Sequence, residues 1–176
     1  MILQLDLFIN FHIKSLSQSE RSGIMFVPQK CQYALKALFE IAKAYDYPNA
    51  DLFKIADIAD AQNIPLRFLE VLMNTLKKGG FVISVRGKNG GYKLARKPSQ
   101  ITVGQVMHFM QGPVDPAGLL TDETNANSQL QQNCVFQPMW REVREAIVEI
   151  YDATSLQTLV DREQNKRDKD ILNFTI

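Results

Sequence analysis

The chain has 176 residues, 45% of them hydrophobic, which suits one compact domain with an appended element and excludes a disordered polypeptide. Two cysteines are too few for a disulfide framework, and no apolar run reaches the ~18 residues that a membrane span needs. The formal net charge of +1 hides a segregation: Val71 to Val114 holds Lys77, Lys78, Arg86, Lys88, Lys93, Arg96 and Lys97 without one Asp or Glu, whereas acids outnumber bases from Asp115 onward.

Residues 1–24 read as a prefix. Ile2, Leu3, Leu5, Leu7, Ile9, Phe11 and Ile13 alternate like a strand until "SLSQSERSG" interrupts them. The prefix has neither a basic n-region nor a small-residue cleavage site, so no signal peptide is expected and the cytoplasm is the expected location. From Pro28 a helix is predicted, with Leu35, Leu38, Ile41, Ala42 and Tyr45 at helical spacing, and "DYPNAD" ends it. Asp51 is placed to cap a short helix to about Ala61, its inner face carrying Leu52, Ile55, Ile58 and Ala59. After a turn at "QNI", Pro65 opens a second helix with Leu66, Leu69, Leu72 and Leu76 on its core face. Lys77 and Lys78 fall in its last turn, and Gly79 or Gly80 supplies a left-handed cap. This is the helix-turn-helix plan.

"FVISVR" favours a strand, "GKNGG" is turn chemistry, and "YKLAR" returns as a second strand, so a basic hairpin follows the two helices directly. A further helix is predicted after Thr102, closing before Gly112, and a long polar loop follows. From Pro138 a strong helix begins, with Trp140, Val143, Ile147, Ile150 and Thr154 as its apolar stripe. Arg141, Glu142, Glu145, Glu149 and Asp152 cover its other side. "TSLQTLV" is expected to add a short helix, and the remainder to be a charged, poorly ordered tail.

A solubilising hairpin edge would mix both signs of charge, which this one does not. "GKNGG" also lacks the phosphate-loop spacing and joins strand to strand rather than strand to helix. The polyanion that fits is a nucleic-acid backbone, and about six phosphate contacts predict a log–log salt slope near −5. Arg86, at the hairpin's base, is the candidate for a groove. The outward residues of the second helix, Pro65, Arg67, Phe68, Glu70 and Asn74, are those a major groove could meet. His12 and His108 have no ligand partner at useful spacing, and Cys31 reads as a small apolar residue. No Ser-His-Asp, Cys-His or paired-carboxylate arrangement stands out, so no catalytic activity is expected. The helix around Trp140 either packs on its own domain or pairs with a second chain.

"NIPLRFLEVLMNTLKKGGFVISVRGKNGGYKLARKP", with "CQYALKAL" ahead of it, resembles the signature region of the IscR-type Rrf family of bacterial winged-helix transcription regulators. The likeness runs from Met25 to about Val160, so residues 1–24 are expected to be an N-terminal extension or a stretch ahead of the true start. The resemblance implies a homodimer with crossing C-terminal helices that binds a partly palindromic operator in double-stranded DNA. It places the base-reading helix on Pro65, Leu66, Arg67, Phe68 and Glu70. It places the minor-groove wing arginine on Arg86, with Gly87, Lys88, Asn89, Gly90 and Gly91 beside the DNA backbone. Lys30 and Tyr33 become phosphate contacts from the first helix, and Lys77 and Tyr92 complete the expected DNA-binding set. Dimerisation falls on Trp140, Val143, Ile147 and Ile150.

Cluster-binding members of that family carry three cysteines before the dimer helix. Here only Cys134 keeps its spacing to Trp140, while Asp122 and Ser128 stand at the earlier positions. Gln137 and Gln32 occupy places where some members supply a histidine or an acidic ligand. One thiolate does not hold an iron–sulfur cluster, so no cofactor is expected, and Cys134 is instead a candidate redox or effector-responsive thiol. The expected fold is mainly α with a small β-hairpin wing. It comprises a winged helix-turn-helix DNA-binding domain at 25–112, a sensory-type loop at 113–137, a dimerisation helix at 138–160 and a charged tail at 161–176. The expected function is sequence-specific transcription regulation, with no membrane partner and an unassigned effector. The alternative is a winged-helix interaction subunit that regulates an enzyme.

Overall fold

The structure, a computed structural model, describes residues 27–45, 52–87, 90–115 and 135–173, with side chains to 169. In chain order its elements are α1 (Gln29–Ala42), α2 (Ile55–Gln62), α3 (Leu66–Lys78), β1 (Val82–Val85) and β2 (Gly91–Leu94). A 3-10 turn at Pro98–Gln100, α4 (Val103–Gln111), α5 (Gln137–Ala153) and α6 (Leu156–Asn173) follow. The chain divides into two compact units, a larger one of Val27–Pro113 with Ile147–Ile176 and a smaller one that includes Val114–Ala146. Residues 1–24, Asp51, Lys88, Asn89, Asp122, Ser128 and Cys134, for which the sequence carries expectations, lie outside the described residues.

The helix-turn-helix joint is made by backbone chemistry. α2 ends where Asn63 takes a left-handed conformation, φ +50°, which lets Ile64 N–H donate to the Ala59 carbonyl at 2.9 Å. Asparagine tolerates that region better than other side-chain-bearing residues do. The chain then turns into Pro65, which precedes α3 and has no N–H to leave unpaired. At the far end Gly80 takes φ +70°. Its N–H donates to Lys77 O at 3.1 Å and Phe81 N–H donates to Leu76 O at 3.0 Å, closing the helix and burying Phe81.

One face of α3, Leu69, Leu72, Met73 and Leu76, is buried in a core shared with Ala34, Leu38 and Ile41 of α1 and Ile58 of α2. α1 is the central helix, packing against α2, α3, α4, α6 and β2. Its fully buried Ala34 and Ala37 permit that close approach. Val106 and Met107 of α4 and Leu156 and Val160 of α6 close the core.

In the hairpin, Val82 pairs with Leu94, Ile83 with Lys93, Ser84 with Tyr92 and Val85 with Gly91, antiparallel. Val82 and Leu94 are buried, so they fasten the hairpin to the helices. Phe53 adds a rung on the other edge of β2, donating to Tyr92 O at 2.9 Å and accepting from Tyr92 N–H at 2.8 Å. A Cβ on Gly91 would stand 2.6 Å from the Phe53 carbonyl oxygen, so this close approach requires glycine.

Four expectations are corrected. The short second helix does not include Leu52; it starts at Ile55, because Phe53 is extended to make its rung. Leu66 is not core: it is 44% exposed in the first turn of α3, and Met73 completes the buried stripe instead. The span 138–160 assigned to one dimerisation helix holds two, the second beginning within the short helix expected at "TSLQTLV". It breaks at Thr154–Ser155, where Val103 N–H donates to Thr154 O at 2.8 Å and Leu156 N–H to Ile101 O at 2.9 Å. Those two bonds take up groups that a continuous helix would have used internally.

Residues 161–173 are helical rather than a poorly ordered tail. Ser155 caps α6 by accepting from Thr158 N–H at 3.1 Å, and neither Gly nor Pro interrupts Leu156–Asn173. The pairs Gln157–Asp161 and Glu163–Arg167 lie one turn apart on its surface and support it.

Candidate nucleic-acid interface

With successive residues 100° apart, the direction opposite the buried stripe of α3 is occupied by Arg67, Val71, Asn74 and Lys78. All four are exposed. Leu66 and Glu70 flank this line on one side and Phe68 flanks it on the other; each of these is exposed too. The Phe68 ring meets the Tyr33 ring of α1 edge-on, centroids 5.5 Å apart at 73°. Gln29 Nε2 donates to the Tyr33 hydroxyl at 2.7 Å, which orients the phenol. The structure thus brings together Tyr33 and Phe68, expected as a phosphate contact and a base-reading residue. Lys30 is exposed in the first turn of α1, and Pro65 is exposed at the start of α3.

Arg86 is exposed just beyond β1, at the turn end of the hairpin and not at its base as expected, because the base is the buried Val82–Leu94 pair. Gly87 follows at φ +118°, and Gly90 N–H donates to Gly87 O at 2.9 Å to close the turn. Tyr92 and Gly91 are half-buried behind it, alongside Phe53. Lys77 Nζ donates to Ser84 Oγ at 2.9 Å, fastening the end of α3 to β1. That bond uses a neutral partner, and Lys77 is in no ion pair among the described residues.

The acid-free span keeps its charge in three dimensions. Among the described residues the ion pairs are Glu40–Lys43 and Glu163–Arg167, both outside it. Lys77, Lys78, Arg86, Lys93 and Lys97 are exposed. Arg96 differs: its guanidinium lies 5.6 Å from the Phe81 ring centroid and donates to Gln100 O at 3.4 Å, so it braces the wing's base. Nothing in the sequence separates Arg96 from the other cations, because a cation–π contact leaves no local signature. Val71 likewise looks like core in the sequence, as an apolar residue inside a helix does until the buried stripe is located.

The two cysteines have different fates. Cys31 is wholly buried in α1, its thiol donating to Gln111 Oε1 of α4 at 3.5 Å. Burial pushes its pKa up, and the nearby Lys30 charge opposes that only in part. Cys31 is therefore a core residue and not an available thiolate. Among the described residues no three His, Cys, Asp or Glu side chains converge on a point that could hold a metal ion. On α5, Trp140, Val143 and Ile147 are half-buried, and Ile150 is 63% exposed.

A helix-turn-helix joined to a basic two-stranded wing defines a winged-helix DNA-binding protein. Residues 27–162 match Rrf2, described as an iron-dependent transcriptional regulator, and the chain belongs to that family. It is similar to the HTH-type transcriptional regulator CymR of Bacillus subtilis, 33% identical over 135 residues that cover 77% of this chain and 89% of the relative. It is also similar to IscR of Aliivibrio salmonicida, 35% identical over 141 residues, 79% of this chain and 80% of the relative. Among solved structures, CymR (YrzC), the global cysteine regulator of B. subtilis, matches with a TM-score of 0.63 at 27% identity. That match covers 79% of this chain and 98% of the other. T. potens IscR matches at 0.60 and 28% identity, covering 78% and 88%. The chain is a transcription regulator of this family, with a mainly helical winged-helix fold.

The family description raises the question of iron. The chain holds two cysteines, and burying Cys31 in the core leaves Cys134 as the remaining thiol. That donor set does not fit a cluster held by three cysteines.

Proposed function

We propose that the chain acts as a homodimer on a partly palindromic operator, with α3 in the major groove and the wing beside the phosphate backbone. Pro65, Leu66, Arg67, Phe68 and Glu70 face the bases, and Arg86 enters the minor groove. Lys30, Tyr33, Lys77 and the wing residues Gly87 to Tyr92 meet the backbone. The observation that supports this most is the set of exposed cations at the end of α3 and in the wing segment that follows, none in an ion pair among the described residues. The dimer reading is supported by α5, which buries none of its residues and leaves Ile150 exposed on its apolar stripe. Two chains would then present two recognition helices to successive turns of one duplex.

This regulator works without an iron–sulfur cluster of the usual kind. Cys134 is its candidate redox or effector-responsive thiol, and the cytoplasm is its place of action. No helix among the described residues is long and apolar enough to cross a membrane.

Sedimentation of the full chain with a duplex enriched from a random-sequence library tests the reading, with two chains per duplex as the expected stoichiometry. A protein that enriches no duplex, yet retains a partner protein after nuclease treatment, would instead be an interaction subunit. Anaerobic iron–sulfur reconstitution is expected to leave no stoichiometric chromophore. One that disappears in Cys134→Ala would contradict the cluster-free reading. Operator affinity that changes on diamide treatment in wild type but not in Cys134→Ser supports the thiol role, and unchanged affinity removes it.

A further inference from the structure

Among the described residues of the larger unit, Val71 is the most exposed large apolar side chain, at 67%. Singly exposed apolar residues are ordinary on protein surfaces, so exposure alone decides nothing. Position does. Val71 lies on the line opposite the buried stripe of α3, one turn after Arg67 and one turn before Asn74. It is also the first residue of the acid-free span, so its neighbours onward in sequence are those that suit a polyanion. A β-branched residue adds nothing to helix propensity at a solvated position, so local stability gives no reason for valine there.

The three side chains differ in what they can recognise. In a major groove arginine pairs with guanine and asparagine pairs with adenine, both through hydrogen bonds. Valine can make no hydrogen bond from its side chain. The apolar group that a base pair offers in the major groove is the C5-methyl of thymine. We propose that Val71 packs against a thymine methyl group, which makes one T·A pair in each half-site a determinant of operator choice. The inference rests on α3 entering the major groove, as set out under Proposed function.

The test uses the full-length chain and a duplex enriched by it from a random-sequence library. Each thymine is replaced singly by uracil, which removes the methyl group and keeps the Watson–Crick edge. Affinity is measured at one fixed salt concentration for wild type and for Val71→Ala. Because Val71 is exposed, its truncation leaves the core untouched, and matching melting temperatures of the two proteins verify this. At one thymine per half-site, uracil should weaken wild-type binding by about fourfold, the size of one lost buried methyl contact. The same replacement should leave Val71→Ala unaffected. If wild type and Val71→Ala respond alike at every thymine, the inference is overturned while DNA recognition by α3 stands. If wild type enriches no sequence at all, the operator reading fails and the inference falls with it.

Discussion

Removing one exposed cation from the wing should change how duplex binding responds to salt, as well as its strength. Five cations of the acid-free span, Lys77, Lys78, Arg86, Lys93 and Lys97, are exposed and outside any ion pair among the described residues. At about 0.9 released counterions per neutralised phosphate, five contacts give a log–log slope near −4.5 for each chain. Over the fourfold range from 50 to 200 mM salt, that slope lowers affinity by about 500-fold.

Arg86→Ala should make the slope about 0.9 less negative per chain and weaken operator binding by roughly 1–3 kcal/mol. Arg96→Ala should behave differently, because its guanidinium is held over Phe81. Its expected effect is a loss of about 0.5–1 kcal/mol of stability with a smaller change in slope. Fluorescence anisotropy of a labelled duplex across a potassium chloride series provides the slopes, and urea denaturation provides the stabilities. A wild-type slope near zero, or equal slope changes in the two variants, would refute the reasoning.

Thiol titration with an aromatic disulfide should find one reactive cysteine in the native chain and two after denaturation, because Cys31 is buried. Its raised pKa means the folded chain holds the thiol proton more tightly than the unfolded chain does. That contribution to stability is complete below the ordinary thiol pKa of about 8.5 and is lost as pH rises through the folded value. Urea midpoints should therefore fall on the alkaline side in wild type, and less so in Cys31→Ala. Gly80→Ala, at φ +70°, should cost about 1–2 kcal/mol in urea denaturation, since the left-handed conformation penalises any Cβ. Ile150→Glu should shift the sedimentation profile towards the monomer while leaving the far-ultraviolet spectrum of the fold in place; an unchanged profile would argue against α5 as the dimer contact.

The parts of this fold that were legible in the sequence depend on residues close together in it. The leucine stripe of α3, Gly80 as its stop, Thr102 and Gly112 at the ends of α4, and the glycine turn of the wing are all local signals. What escaped depends on distant partners. Phe53 is extended because Tyr92 supplies both of its rung bonds. The break at Thr154–Ser155, ahead of the short helix expected at "TSLQTLV", is stabilised by Ile101 and Val103, and nothing in "DATSLQ" announces those two partners.

Site residues followed the same division. Arg86 and the lysines stood out by charge alone, whereas Arg96 was separated from them only by its contact with Phe81. Leu66 and Val71 carried the opposite ambiguity: both look like core in sequence and both are exposed on α3.

The proposed function requires this regulator to distinguish one duplex sequence from others through α3 and the wing. The most direct measurement is a pair of anisotropy titrations at the same salt concentration, one with the enriched duplex and one with a scrambled duplex of equal length and composition. Specific recognition predicts that the enriched duplex binds at least ~10³-fold more tightly. Equal affinities for the two would contradict it, leaving only a basic surface attracted to any polyanion.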